Sequence, residues 1–404
     1  MLRRRTYADD ILKYADTGTV KILTGMKRAG KTSVLLSVQD ELAARGVPKK
    51  NIVNLSFEGL ENSAIEDYQS LYAAVSAKAE QDEKLYVFLD EVQRVVGWEK
   101  AALHLMHDAN ADIYAAGSNA KITDKSVMAV LENRVKVFEI LPLSFSEYLE
   151  FRGQYAQTED IPRELVRYLL TGGFPDLHVR SHTQAEAYAY IRDVMNAAVW
   201  TDVVGLGQLR RPDQLERVTR FIFENVGSNF SAKHVSDSLR GQNKEINIET
   251  VYTYIERLET AYLIARCRRY DLQADEPLKT QEKFYPADAA MRYALLGFKP
   301  SAVSTGLENA VYLEMKRRGF EVYMGKLGRR EIDFVAISGD RRVYLQLGSE
   351  LHGREEGLKS SLVAVRDHYP KLILTTDLTS LGNSGGIRTV SIADFLAGIT
   401  SLDV

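Results

Sequence analysis

Short apolar runs separated by polar breaks dominate the first third of the chain. Val20-Lys21-Ile22-Leu23-Thr24, Leu85-Tyr86-Val87-Phe88-Leu89, Asp112-Ile113-Tyr114-Ala115-Ala116 and Val135-Lys136-Val137-Phe138-Glu139-Ile140 are too brief for helices and rich in β-branched or aromatic residues. They predict strands of a parallel α/β sheet, with helices continuing from Ser33-Val34-Leu35-Leu36 and over Val127-Met128-Ala129-Val130-Leu131. From Glu159 to about Val204 the period is helical, broken at Thr171-Gly172-Gly173-Phe174-Pro175-Asp176. Residues 213 to 290 predict three helices and a β-hairpin. Leu215, Val218, Phe221, Ile222 and Val226 mark the first helix, Ser231 caps a second with Val235 and Leu239, and Val251, Tyr254, Ile255 and Leu258 mark the third. Leu263 to Tyr270 and Lys283-Phe284-Tyr285 are the hairpin strands. Past Gly306, a helix precedes strands at Glu321–Met324, Glu331–Ala336 and Arg342–Gly348.

At 404 residues and 45% hydrophobic content, the chain can bury a large core and is expected to divide into roughly two to four domains. A formal net charge of -3 names no partner, so a nucleic-acid contact would need a local basic face. Met1-Leu2-Arg3-Arg4-Arg5 begins like an export signal, but the polar run Thr6 to Asp10 follows where an apolar core is required. With no bilayer-length apolar run and a single Cys267, the expectation is a cytoplasmic protein with no membrane partner.

The chemistry concentrates after the first strand. Gly25-Met26-Lys27-Arg28-Ala29-Gly30-Lys31-Thr32 is G-x-x-x-x-G-K-[ST] between a strand and a helix. Glycines let backbone N–H groups converge on phosphates, the helix N-terminus adds positive potential, Lys31 reaches the β and γ phosphates, and Thr32 ligates Mg2+. Residues Gly25 through Thr32, with Ser33, form the expected ATP-binding set. The second strand ends in Asp90-Glu91, at the carboxyl edge where ligands of a parallel sheet sit. Asp90 is the second candidate magnesium ligand and Glu91 the candidate base for the attacking water. Ser118 or Asn119 can present a polar group to the γ-phosphate or water, and Arg134 can serve its own site or a neighbouring subunit's. The competing reading of Arg134 is a surface arginine bridged to an acid.

Together with Phe88 to Gln93, Ala116 to Asn119, Leu141-Pro142-Leu143-Ser144-Phe145-Ser146-Glu147-Tyr148-Leu149, Gly172-Gly173-Phe174-Pro175 and Gly306-Leu307-Glu308-Asn309, these motifs resemble a known group. It is the prokaryotic AAA-type ATPases with a C-terminal domain of unknown function related to PD-(D/E)XK nucleases. The resemblance implies an AAA+ core over 1–153, a helical lid over 154–208, a winged helix over 209–290 and a restriction-endonuclease-like α/β domain over 291–404. It makes Ser118 or Asn119 the sensor and Arg134 the arginine finger, although Asn133 stands where the family usually has glycine. It also makes Pro175 and Phe174 candidate adenine contacts; on the residues alone, that motif is a helix break.

A winged helix suggests DNA, but the third helix carries Glu245, Glu249, Glu256 and Glu259 against only Lys244 and Arg257, which repels phosphates. Arg266, Arg268 and Arg269 leave a contact through the wing open. In the tail, Glu308 and Asp333 match two nuclease carboxylates, but the expected E-x-K is Gln346-Leu347-Gly348, which favours a degenerate, structural domain. Arg329, Arg330, Arg341 and Arg342 offer a further backbone contact, or a solvated face. The leading expectation is an ATP-hydrolysing homo-oligomer, a hexameric ring being one form, that engages a protein or DNA partner. The alternatives are a nucleotide-gated switch with little turnover and an active nuclease.

Overall fold

The computed structural model describes residues 4–78, 83–155, 160–200, 211–240, 246–278, 281–348 and 355–402. Lys244 and Glu245, and the boundary expected at 208/209, lie outside them. The chain forms two compact units, Met1–Leu141 with Thr260–Tyr262, and Pro142–Glu259 with Leu263–Val404.

The first unit contains α1 (Arg5–Leu12), β1 (Val20–Thr24), α2 (Lys31–Ala44), β2 (Ile52–Ser56), α3 (Tyr68–Ser76), β3 (Leu85–Asp90), α4 (Trp98–Asp108), β4 (Ala111–Gly117), α5 (Lys125–Val130) and β5 (Val135–Glu139). The five strands lie in the order β2-β3-β4-β1-β5, all parallel. Every residue of β1, β3 and β4 is buried, as central strands covered on both faces require. Alternate side chains feed two apolar layers. Val20, Ile22, Val87, Leu89 and Ile113 pack with Leu71 and Trp98 of α3 and α4, while Leu23, Phe88, Tyr114 and Ala116 pack with Ile11, Val34 and Val38 of α1 and α2. Strand β2 escaped the sequence reading because it is an edge strand whose exposed Asn54 and Ser56 break its apolar run.

Lys21 and Asp112 are buried polar residues inside this core, and they form an ion pair. Asp112 also accepts from Tyr114 OH at 2.7 Å, and the Lys21 ammonium lies 4.2 Å from the Tyr114 ring centroid. Burial pulls the Lys21 pKa down, and the Asp112 carboxylate opposes that shift.

The second unit opens with α6 (Phe145–Tyr155), α7 (Ile161–Thr171) and α8 (Gln184–Ala198). The three expected helices follow as α9 (Pro212–Glu224), α10 (Ala232–Arg240) and α11 (Ile248–Thr260). Val218, Ile222, Val235, Val251, Ile255 and Leu258 are buried as the periodicity predicts. The predicted hairpin strand is instead split, into β6 (Ile264–Cys267) and β7 (Arg269–Asp271). β6 pairs antiparallel with β9 (Lys283–Pro286), whereas β7 pairs with β8 (Glu276–Pro277) and runs parallel to β10 (Glu321–Leu327). Side-chain anchoring accounts for the division: Arg269 forms an ion pair with Glu331, while Arg266 forms ion pairs with Glu259 at 2.6 Å and Glu282 at 2.9 Å. Two of the three arginines held open for a DNA-contacting wing are therefore committed to carboxylates.

After α12 (Ala289–Leu296) and α13 (Val303–Arg317) come β10, β11 (Arg330–Ser338) and β12 (Arg341–Gly348) as an antiparallel meander. α14 (Glu355–Val363) leads to β13 (Lys371–Thr375), parallel to β12, and β14 (Gly382–Ser384), β15 (Ile387–Ser391) and α15 (Ile392–Leu396) complete the unit. The sheet order is β14-β15-β13-β12-β11-β10-β7-β8. No helix among the described residues is long and apolar enough to cross a membrane.

Candidate functional site

Because all five strands of the first unit are parallel, their carboxyl ends share one edge, and the loops that leave this edge meet there. At the end of β1 the chain turns through Gly25, with φ 138°, where a Cβ would lie 2.2 Å from the Ile140 carbonyl oxygen. Only glycine fits, because the backbone passes too close to Ile140 and lies in a region that L side chains rarely adopt. Arg28 and Gly30 also have positive φ, 65° and 100°, and Gly30 caps the N-terminus of α2. Met26 and Ala29 are buried within the loop, and Lys27 reaches Glu58 at 3.8 Å. Ser33 accepts the Ser37 hydroxyl at its carbonyl, 2.8 Å away.

Lys31 is buried, and its ammonium donates to the carbonyls of Gly25 at 2.9 Å and Met26 at 3.1 Å. It stands 4.0 Å from Glu91 Oε1. Thr32 Oγ1 donates to Asp90 Oδ2 at 2.7 Å, and Glu91 N–H donates to Asp90 Oδ1 at 3.1 Å. Burial raises the Asp90 pKa, while the Thr32 hydrogen bond holds it back. A buried carboxylate touching a hydroxyl is the hard oxygen set that suits Mg2+.

Glu91 has φ 54°, in the left-handed region that residues other than glycine rarely adopt. Its Oε2 accepts from Gln93 Nε2 at 2.7 Å and from Ser118 Oγ at 2.9 Å. Ser118 is thus joined to the acidic pair, whereas Asn119 Oδ1 caps the next turn through Lys121 N–H at 2.9 Å. Sequence reasoning missed Gln93, which sits between Glu91 and Ser118, with its amide nitrogen 3.3 Å from the Ser118 hydroxyl. It also missed Arg4, read only as part of a charged N-terminus. Arg4 is buried and donates to the carbonyls of Ala29 and Leu141, each at 2.8 Å, clamping the glycine loop from behind. Tyr262 is a third omission: it groups with this unit and accepts the Thr24 hydroxyl at 2.6 Å.

Arg134 lies on the opposite edge of the sheet. It precedes β5, and its carbonyl accepts the N–H of Val20, the first residue of β1, at 2.9 Å. Five residues of β1 separate that point from the glycine loop, roughly 16 Å at the rise of a strand. Its half-exposed guanidinium pairs with Glu132 at 3.1 Å, and the consecutive positive φ of Glu132 (52°) and Asn133 (57°) forms the turn that presents it.

Residues 17–149 match an AAA domain. Residues 162–302 match a domain of unknown function (DUF8612), which begins in α7 and ends in the turn before α13. An uncharacterized protein of Haemophilus influenzae is 28% identical over 98% of both chains, and one of Methanocaldococcus jannaschii is 26% identical over 86% of this chain and 79% of its own. Among solved structures, a Walker-type ATPase of Pyrococcus abyssi is 16% identical, with a TM-score of 0.49 over 73% of this chain and 96% of that one. The glycine loop, Asp90, Glu91, Ser118, Asn119 and Arg134 all fall within the residues that match the AAA domain.

In the second unit, the Pro-Leu-Ser-Phe and Gly-Gly-Phe-Pro segments are joined. Leu143 N–H donates to the Gly173 carbonyl at 2.7 Å, and Gly173 N–H donates to Asp288 Oδ2 at 2.6 Å. A Cβ on Gly172 would meet Asp288 Oδ1 at 2.4 Å, and one on Gly173 would meet the Leu143 carbonyl at the same distance. Phe174 and Pro175 are buried within this unit, the Phe174 ring edge-on to Tyr190.

Glu308 of α13 lies near enough to Asp333 of β11 to raise the cost of charging Asp333. Lys283, from β9, pairs with Glu308 Oε1 at 3.0 Å, an oxygen that also accepts Tyr285 OH at 2.5 Å. Asp333 accepts Leu347 N–H at 2.7 Å, and Gln346 Oε1 accepts Asp333 N–H at 2.9 Å. Among the described residues, no group of three or more His, Cys, Asp or Glu side chains converges to hold a metal.

Proposed function

We propose that the AAA domain binds ATP with Mg2+ and hydrolyses it, and that turnover is gated by what Glu91 touches. The contact of Thr32 with Asp90 at 2.7 Å, beside a left-handed Glu91 within 4.0 Å of Lys31, carries this reading. Gly25 to Ser33 would cradle the phosphates with their backbone N–H groups, and Lys31 would exchange two loop carbonyls for the β and γ phosphate oxygens. Thr32 and Asp90 would hold the magnesium, which supplies charge neutralisation at the γ-phosphate when bound. Glu91 would take a proton from the attacking water, with Ser118 or Asn119 positioning that water or the γ-phosphate.

Glu91 Oε2 accepts two hydrogen bonds, which leaves Oε1 for the attacking water, and turning Oε2 to it would break the contact with Gln93 or Ser118. That observation favours a switch-like ATPase with a slow basal rate. Exposed Arg134, on the sheet edge remote from its own glycine loop, supports action as a finger on a neighbouring copy in a homo-oligomer such as a hexameric ring.

For the rest of the chain we keep the limits 1–153, 154–208, 209–290 and 291–404 as core, lid, winged helix and degenerate nuclease-like domain. The helix α13 followed by the β10–β12 meander and parallel β13 supports the last of these, and Lys283 neutralising Glu308 supports a structural rather than a cleaving role. Pro175 as an adenine contact, a protein or DNA partner, and a cytoplasmic site of action belong to the same proposal.

Steady-state ATP hydrolysis with nucleotide binding, on wild type, Lys31→Ala and Glu91→Gln, tests it. Turnover by wild type, lost binding in Lys31→Ala and binding without hydrolysis in Glu91→Gln support the reading. Failure of wild type to bind ATP overturns it.

A further inference from the structure

The second unit contains a cavity of about 550 Å³ that none of the chemistry above uses. One wall is α7. Arg163 and Arg167 stand four residues apart on it and face the cavity with Val166 and Leu170. The segment between the Gly-Gly-Phe-Pro turn and α8 contributes His178, Arg180 and His182, and α6 contributes Tyr148 and Arg152. Four arginines line the cavity and no carboxylate does.

Two nearby acids pair with these arginines from outside the lining, and a third caps α8. Glu164 is buried behind the wall, accepting Tyr148 OH at 2.5 Å and Arg152 Nε at 3.2 Å, with Arg167 3.7 Å away. Glu186 Oε2 closes the capping box of α8, accepting Thr183 N–H at 2.7 Å and the Thr183 hydroxyl at 2.8 Å. Asp160 lies at the start of α7, 3.6 Å from Arg163. Glu164 and Asp160 answer part of the charge on Arg152, Arg163 and Arg167 from outside the lining, and a bound anion would add to that.

The lining is not only cationic. Val166, 51% exposed despite its apolar side chain, and Leu170 give a greasy strip beside the arginines. The rings of Tyr148 and His178 meet edge to face at 4.9 Å. His178 is kept neutral by burial, and its Nε2 donates to the Gly172 carbonyl at 2.7 Å, which ties the cavity wall to the turn that Asp288 also holds.

The geometry points to a second ligand site, for a phosphorylated small molecule of nucleotide size. Guanidinium groups match phosphate oxygens in pairs, the apolar strip and ring edges suit an organic moiety, and the volume falls in the range of small-molecule pockets. An open groove for a nucleic-acid backbone would need a longer basic track than this single concavity. The site is lined wholly by the second unit, and no residue of the glycine loop belongs to it. It therefore stands or falls apart from the proposed ATPase.

The experiment titrates full-length Lys31→Ala protein, whose glycine loop no longer reports, with adenosine monophosphate, inorganic pyrophosphate and a single-stranded oligonucleotide by calorimetry. Arg163→Glu/Arg180→Glu is the charge-reversed partner, chosen because both side chains sit at the rim, and a thermal melt confirms its fold. Saturable adenosine monophosphate or pyrophosphate binding that weakens at least about a hundredfold in the double variant supports the site, about tenfold for each guanidinium removed. Should the double variant unfold, Arg180→Gln alone, expected to cost about tenfold, serves in its place. Binding of the oligonucleotide alone, equal affinity in the variants, or no binding of any probe overturns it.

Discussion

The hydroxyl of Thr32 donates to Asp90 Oδ2 at 2.7 Å, fastening the first turn of α2 to the end of β3. Burial raises the Asp90 pKa, so this contact stores a cost that a bound cation would remove. Asp90→Asn is expected to leave the melting temperature of the ligand-free protein unchanged or higher, while turnover falls on the order of 10²-fold and half-saturation moves to higher magnesium. A magnesium titration of the ATPase rate checks it, and an unchanged magnesium requirement would remove Asp90 from the ligand set.

Gln93 donates to Glu91 at 2.7 Å and keeps it facing Ser118. Gln93→Ala frees one of the two hydrogen bonds on Glu91 Oε2, so basal hydrolysis should rise about fivefold if one hydrogen bond of roughly 1 kcal/mol is all that holds it. A fall in rate would instead make Gln93 part of the working site.

Arg134→Ala is expected to reduce turnover by about 10³-fold or more with ATP affinity nearly intact. Mixing it with Lys31→Ala protein is the sharper measurement, because each supplies what the other lacks across a subunit boundary. Recovery of activity on mixing supports action in trans, and full activity of Arg134→Ala alone would reduce it to a surface partner of Glu132.

Asp288 is buried, and its pKa is pushed up to about 6 by that burial, against two backbone N–H bonds that favour the charged form. A folded pKa above the unfolded value means that the native state holds the proton more tightly. The stability this group contributes is complete below about pH 4 and is lost as pH rises through 6. Asp288→Asn should therefore flatten the fall in stability between pH 4 and 6, by an amount on the order of 2 kcal/mol, in denaturant titrations at each pH. Asp333, raised to about 6 chiefly by burial, adds a slope of the same sign that Asp288→Asn leaves in place.

Lys21→Met leaves Asp112 buried without its cation and should destabilise the first unit by about 3–5 kcal/mol, measured by chemical denaturation. The double variant Lys21→Met/Asp112→Leu should recover much of that loss. A single variant as stable as wild type would mean that water or Tyr114 already satisfies the carboxylate.

The sequence by itself determined the strands β1, β3, β4 and β5, the turn at Gly25 and the alignment of Lys31, Thr32, Asp90 and Glu91, because these depend on local pattern. Buried parallel strands must be apolar throughout, a phosphate loop must have glycine at its crowded points, and strands that run parallel must deliver their carboxyl ends to one edge. Tertiary structure decided the rest. Edge strand β2 is held by pairing rather than by its own composition, and Arg4 becomes a clamp only once Ala29 and Leu141 approach it from 25 and 137 residues away. Arg269 pairs with Glu331, on a strand 62 residues further on, and Lys283 of β9 pairs with Glu308 of α13. Gly172 and Gly173, legible only as a helix break, turn out to be the places where Asp288 and Leu143 come within 2.4 Å of a missing Cβ. Local periodicity carries no information about such contacts, since their partners are fixed by how the sheets and helices pack and not by their neighbours in the chain.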